Sequence, residues 1–161
     1  MRISDQQKLR LQFLARVIKK DSDNLNRTTS RLFTEVFTVE RAASLEVDDD
    51  LSERVEAFTS RFSRLQDLLG DKLIPQLLTA LGEKTGAAID NIDKAERFGW
   101  IQSAEDWQAM RLLRNQMVHE YIEDLKILSS AIQTGQQYVP VLTCVANNLL
   151  TEMEGRGWLA E

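Results

Sequence analysis

The sequence predicts an all-α protein, built as an antiparallel helical bundle, and three observations lead there. Apolar residues recur three and four positions apart through most of the chain, the period of a helix with one buried face. Capping residues and glycines punctuate that pattern where helices should start and stop. No stretch alternates as a strand does, and 161 residues hold only two prolines and seven glycines. With 43% hydrophobic residues, the chain has the composition of a folded globule rather than a disordered segment, and its length suits one domain over residues 1–161.

The first helix is marked by Ser4 and Gln7, a capping box. Leu11, Leu14, Val17 and Ile18 follow at helical spacing. Asp21 to Asn26 is polar, and Leu25, Leu32, Phe33 and Val36 resume the period to about Phe37, so one long helix and a helix pair both fit. The pattern weakens from Val39 to Leu45. Asp48, Asp49 and Asp50 form an acidic cluster that reads as a helix start, Asp50 capping with Glu53, rather than as a metal site.

From Leu51, a helix carries Val55, Phe58, Phe62, Leu65 and Leu69 inward, and Gly70 ends or bends it. Pro75 suits a first turn or a kink, with Leu77, Leu78 and Leu81 as the next apolar face. Gly82 to Gly86 is a loop. Ile89, Ile92, Ala95 and Phe98 make a short helix that Gly99 stops as the residue past its cap. Ser103 caps the next helix, whose inward row is Trp107, Met110, Leu113 and Met117. Ile122, Leu125, Leu128 and Ile132 give a helix to about Gln133. Gly135 marks a turn or bend, and a last helix runs through Val141, Val145, Leu149 and Met153, with Pro140 near its start. Trp158 and Leu159 either dock or fray.

Composition limits function. The net charge of −5 argues against a broad basic surface that tracks nucleic acid, so any RNA contact would be confined to a local arginine-lined cleft. Cys144 has no partner for an intramolecular disulfide, and its apolar neighbours read as core. Neither a signal-peptide run nor a membrane-length apolar stretch occurs, so a soluble cytoplasmic protein is expected.

The chemistry gathers in Arg111-Leu-Leu-Arg-Asn-Gln-Met-Val-His-Glu-Tyr121, which contains the protein's one histidine. A mechanism needing two imidazoles therefore requires a second copy, as a symmetric dimer supplies. At about 100° per residue, Arg114 and Tyr121 lie nearly on one line of a helix, while His119 is turned about 140° from Arg114. Either the helix breaks between Arg114 and His119, or the site is shared between copies. Arg114 offers a charged fork for phosphate oxygens, and His119 suits proton transfer near neutrality. RNA brings its own nucleophile, the 2′-hydroxyl. Asn115 adds a hydrogen bond to phosphate or sugar, Arg111 is a second cation one turn away, and Tyr121 is placed to bind substrate or to be modified.

Arg114, Asn115, His119 and Tyr121 spell R-N-x-x-x-H-x-Y, and this resembles the HEPN superfamily, in particular the HepT-like toxins of prokaryotic toxin–antitoxin pairs. Ser60-Arg-Phe-Ser-Arg-Leu-Gln-Asp-Leu-Leu-Gly70 resembles the R-F-x-x-L-Q-D segment of one branch, and Ser103 to Trp107 the lead-in to the motif helix, so the likeness covers roughly residues 50 to 125. The resemblance implies an all-helical homodimer. It further implies metal-independent RNA cleavage, of tRNA or mRNA, at a composite site with Arg114 and His119 from both copies, and no cofactor. Its partner would be an MNT-type nucleotidyltransferase antitoxin of a type VII system, silencing the toxin by AMPylation of Tyr121. Arg61 and Asp67 belong to the matching segment, but charged residues on a helix surface read as solvated and stay outside the site. Two other readings remain: a non-cleaving helical partner that presents substrate to a nucleotidyltransferase, and a structural bundle in which His119 serves stability alone.

Overall fold

In the computed structural model the described residues are 2–118 and 122–160, and among them there is no β-strand. Helix α1 is one continuous element, Asp5–Leu32, opened by the Ser4–Gln7 capping box. The polar stretch does not break it, because Leu25, Thr28 and Leu32 keep the buried stripe in phase with Leu11, Leu14 and Ile18. The helix ends earlier than its apolar period suggests. Phe33 is its C-cap, and Val36 is 67% exposed rather than inward.

A short helix α2, Val39–Ala43, capped by Thr38, and a 3₁₀ turn, Ser44–Glu46, lead to α3, Asp49–Asp67. The cap of α3 is Asp48 rather than Asp50: its carboxylate accepts from the Leu51 backbone N–H, while Asp49 and Asp50 occupy the first turn. All three acids still sit at the positive end of the helix. Gly70 does not end the run. The chain widens into a π-helical segment, Leu68–Leu73, and continues directly as α4, Ile74–Ala80, with Pro75 in its first turn.

Helix α5, Ala88–Arg97, is terminated by Gly99, whose φ of 80° is the left-handed conformation that glycine adopts without Cβ strain. Its apolar face is narrower than the spacing suggests: Ile92 and Ala95 are buried, while Ile89 and Phe98 are exposed. Phe98 instead stacks on Trp100, ring centroids 4.8 Å apart. Helix α6, Ala104–Gln116, begins at Ser103, whose hydroxyl accepts from the Asp106 N–H, and buries Trp107, Met110 and Leu113.

The last helix, α7, is a single element, Leu125–Gly155, where a turn or bend at Gly135 is expected. The glycine is there for contact, not for a turn. A Cβ on it would lie 2.7 Å from Met117 Sδ and 3.1 Å from the Phe58 ring, so its absence lets α7 close on the end of α6 and the middle of α3. Pro140 lies inside the helix. It and Gln136, whose carbonyl loses an N–H partner there, are both exposed, so solvent can serve that carbonyl. Cys144 is exposed rather than in the core, because Leu142, Val145, Ala146 and Leu149 define the inward face and leave residue 144 on the other side. Trp158 docks: it is buried, with the Arg156 guanidinium 5.3 Å from its ring centroid.

The largest interhelical contact is α1 against α3, and α7 lies against α1, α2, α3 and α6. One hydrophobic cluster joins these helices, with Phe58 and Phe62 of α3 at 5.9 Å and Phe33 edge-on to Phe58 at 5.3 Å. Arg61 of α3 is a structural tie, donating to the Asn24 carbonyl and the Thr28 hydroxyl of α1. Among the described residues no helix is long and apolar enough to cross a membrane.

Candidate functional site

The site is built where α6 lies along the end of α3 and the π segment. Trp107 is fully buried, and Gly70 faces its ring so closely that a Cβ would come within 3.0 Å of Cζ2. Gln66 donates its side-chain N–H to the Trp107 carbonyl at 3.1 Å, in the interior. These contacts fix the register of the two elements, and two ion pairs follow from it. Arg114 Nη1 and Nη2 donate to Asp67 Oδ1 and Oδ2 at 2.6 and 3.2 Å, and Arg111 Nη1 donates to Asp71 Oδ1 at 3.2 Å. The residue numbers rise on α6 as they fall on α3, so the paired segments run in opposite directions.

The Asp67–Arg114 fork is bidentate and partly shielded, with side chains 46% and 24% exposed. A guanidinium carries five N–H donors in a rigid plane, and Asp67 engages two of its nitrogens. The remaining donors keep Arg114 competent to bind a phosphate while the carboxylate holds its plane in place. Arg111 is held by one bond and is correspondingly looser.

Helix α6 ends at Gln116, with Met117 as its C-cap, so the helix breaks between Arg114 and His119. That is the first of the two arrangements the rotation of the motif allows. The break also removes the continuous helical face expected to align Arg114 with Tyr121. Met117 is buried against Gly135, and its carbonyl lies 3.4 Å from the Thr59 hydroxyl, which anchors the end of α6 on α3 and α7. His119 and Tyr121 lie outside the described residues. Asn115 and Gln116 are exposed at the helix end, and Leu112 on the same helix is 72% exposed.

Beside the two ion pairs, α3 and the π segment form an open cleft of about 560 Å³. Its lining includes Ser60, Ser63, Arg64, Leu68 and Lys72, with Asp67 and Asp71 on the wall it shares with the α6 arginines. The two segments that carry the family resemblance are therefore in contact: the upstream segment supplies the cleft, and the motif helix supplies the arginines that its carboxylates hold. Sequence reasoning set Asp67 aside and never singled out Arg64. A signal was present, since Ser60, Ser63, Arg64, Asp67 and Asp71 recur at spacings of three and four, a polar stripe opposite the buried one. Of the acids that follow Arg114 in the chain, Glu120, Glu123 and Asp124, the first lies outside the described residues, and Asp124 caps α7 through the N–H groups of Lys126 and Ile127 rather than pairing with Arg114. Among the described residues, no group of three or more His, Cys, Asp or Glu side chains is arranged to hold a metal ion.

Compared with protein-family models, curated proteins and solved structures, the chain matches none.

Proposed function

We propose that the chain is a HEPN-type endoribonuclease toxin of the HepT-like class, an antiparallel helical bundle that acts as a symmetric homodimer. The observation that carries this reading is the end of α6 at Gln116, between Arg114 and His119, together with the Asp67 fork that grips Arg114. A break at that point frees the following segment from the rotation that would turn His119 away from the arginine. The upstream segment of the resemblance touches the motif helix at the residue the chemistry needs.

In the dimer, Arg114 binds and polarises the scissile phosphate, Asp67 positions Arg114, and Asn115 and Arg111 support phosphate or sugar. The RNA 2′-hydroxyl attacks phosphorus, its proton passing to His119 of one copy. The bond to O5′ breaks, and that oxygen takes a proton from His119 of the other copy. The products are a 2′,3′-cyclic phosphate and a 5′-hydroxyl end. One histidine per chain thus supplies a base and an acid only when two chains meet. A cognate nucleotidyltransferase silences the toxin by adding AMP to Tyr121, which places a bulky, negatively charged group where RNA must enter.

The test is induced expression of wild type and His119→Ala in a bacterial host, with growth scored and RNA probed for new ends. Arrest and new 5′-hydroxyl ends with wild type alone support the reading; healthy growth and intact RNA from folded dimeric wild type overturn it. The net charge of −5 favours a second reading, a non-cleaving partner that presents substrate to a nucleotidyltransferase, and intact RNA would move the assignment there. Intact mass after co-expression with the antitoxin tests Tyr121 directly: an unchanged mass in silenced cells rules out its modification.

A further inference from the structure

The cleft on α3 is lined by two cations and two carboxylates, and its carboxylates are taken up from outside it. Asp67 and Asp71 in its wall are already engaged by Arg114 and Arg111. Arg64 and Lys72 also line it, and among the described residues neither has an ion-pair partner. With the two α6 arginines beside the cleft counted, four cations stand against two carboxylates, a local charge of about +2 in a protein of −5. The rest of the lining is chemically mixed: Ser60 and Ser63 bring hydroxyls, and half-buried Leu68 brings an apolar patch.

We infer that this cleft binds the RNA strand next to the scissile bond, with Arg64 and Lys72 on backbone phosphates, Ser60 and Ser63 on ribose hydroxyls, and Leu68 against a base. The inference deepens the ribonuclease reading and rests on it for the position of the scissile phosphate at Arg114. A volume of about 560 Å³ is in the range that accommodates a nucleotide-sized group. Arg64 and Lys72 are eight residues apart, about 12 Å along a helix, so they meet different phosphates of an extended strand rather than one isolated anion. The cleft shares Asp67 with the Arg114 fork, so a strand lying in it leads directly to that guanidinium. An acidic protein can thereby hold RNA through one short cationic track.

The experiment uses full-length His119→Ala protein, which on this mechanism binds without cutting, and a short fluorescein-labelled single-stranded RNA. Binding is read by fluorescence anisotropy across a KCl series. For single strands each phosphate contact contributes about 0.7 to the slope of log K against log salt. Arg64→Ala with Lys72→Ala should lower that slope by about 1.4 and weaken binding roughly 25-fold near 0.1 M salt. Arg31→Ala with Arg54→Ala, an equal loss of charge on another face, should leave the slope unchanged. In the wild-type background the cleft pair should raise KM and spare kcat.

Wild type that cuts RNA, with a cleft variant whose slope and KM are unchanged, overturns the inference and leaves the ribonuclease reading standing. Cleft-dependent RNA binding by a wild type that cuts nothing supports the cleft as an RNA site, but refutes cleavage and with it the place of the strand beside a scissile bond. No RNA binding at low salt overturns the inference outright.

Discussion

Removal of the Asp67 carboxylate separates what the Arg114 fork does for the fold from what it does for chemistry. The pair is bidentate, at 2.6 and 3.2 Å, but Asp67 is 46% exposed, so solvent screens much of its Coulomb energy. A surface pair of good geometry is worth about 1 kcal/mol. For a chain of this size, that shifts the melting temperature by about 2–4 °C. The effect on cleavage should be far larger. Without its carboxylate the guanidinium samples several rotamers, and misplacement of a catalytic group by about 1 Å costs on the order of a hundredfold. Asp67→Ala should therefore lower kcat by roughly 30- to 100-fold with little change in KM, since in the proposed mechanism Arg114 acts most strongly on charge developing in the transition state. Asp67→Asn retains one acceptor oxygen and should fall between the two. The assay is cleavage of a fluorogenic RNA beside thermal unfolding of the same preparations. A dimeric Asp67→Ala protein that cleaves within about twofold of wild type would refute the positioning role, whatever its melting temperature.

Four further outcomes are expected. Arg114→Ala and His119→Ala should each abolish growth arrest while the proteins remain folded and dimeric, as judged by circular dichroism and size-exclusion chromatography. Gly135→Ala places a methyl against Met117 Sδ and the Phe58 ring, and should destabilise by about 1 kcal/mol in urea; Gly135→Val, bulkier at the same contact, should cost about 3 kcal/mol. Ser103→Ala removes the hydroxyl that accepts from the Asp106 N–H and should cost about 1 kcal/mol, with no effect on kcat beyond the lost stability. Cys144 is exposed, so a thiol reagent should modify the native protein without unfolding it; protection until unfolding would contradict its place on the outer face of α7.

The helical class, the Ser4 and Ser103 caps, the Gly99 stop and the inward rows of α3 and α6 were legible in the sequence, because each depends on residues within a few positions of one another. So was the need for a break or a second copy, which follows from the angle between residues 114 and 119. Cys144 was legible and misread: its apolar neighbours suggested core, whereas the phase set by Leu142, Ala146 and Leu149 turns it outward. Gly135 could not be decided locally. Glycine signals a turn along the chain and a close approach in space with the same letter, and only the neighbouring Met117 and Phe58 show which applies. Asp67 stood in a legible polar stripe, but the arginine it holds could not be read locally, for the same reason at longer range. Its partner stands 47 positions away, and what brings them together is the packing of Trp107 on Gly70. The sequence by itself determined the helical class and which residues are candidates for chemistry, because periodicity and side-chain type are local properties. Only the tertiary structure decided which carboxylate holds which arginine and where the cleft opens, because those depend on the register in which distant helices pack.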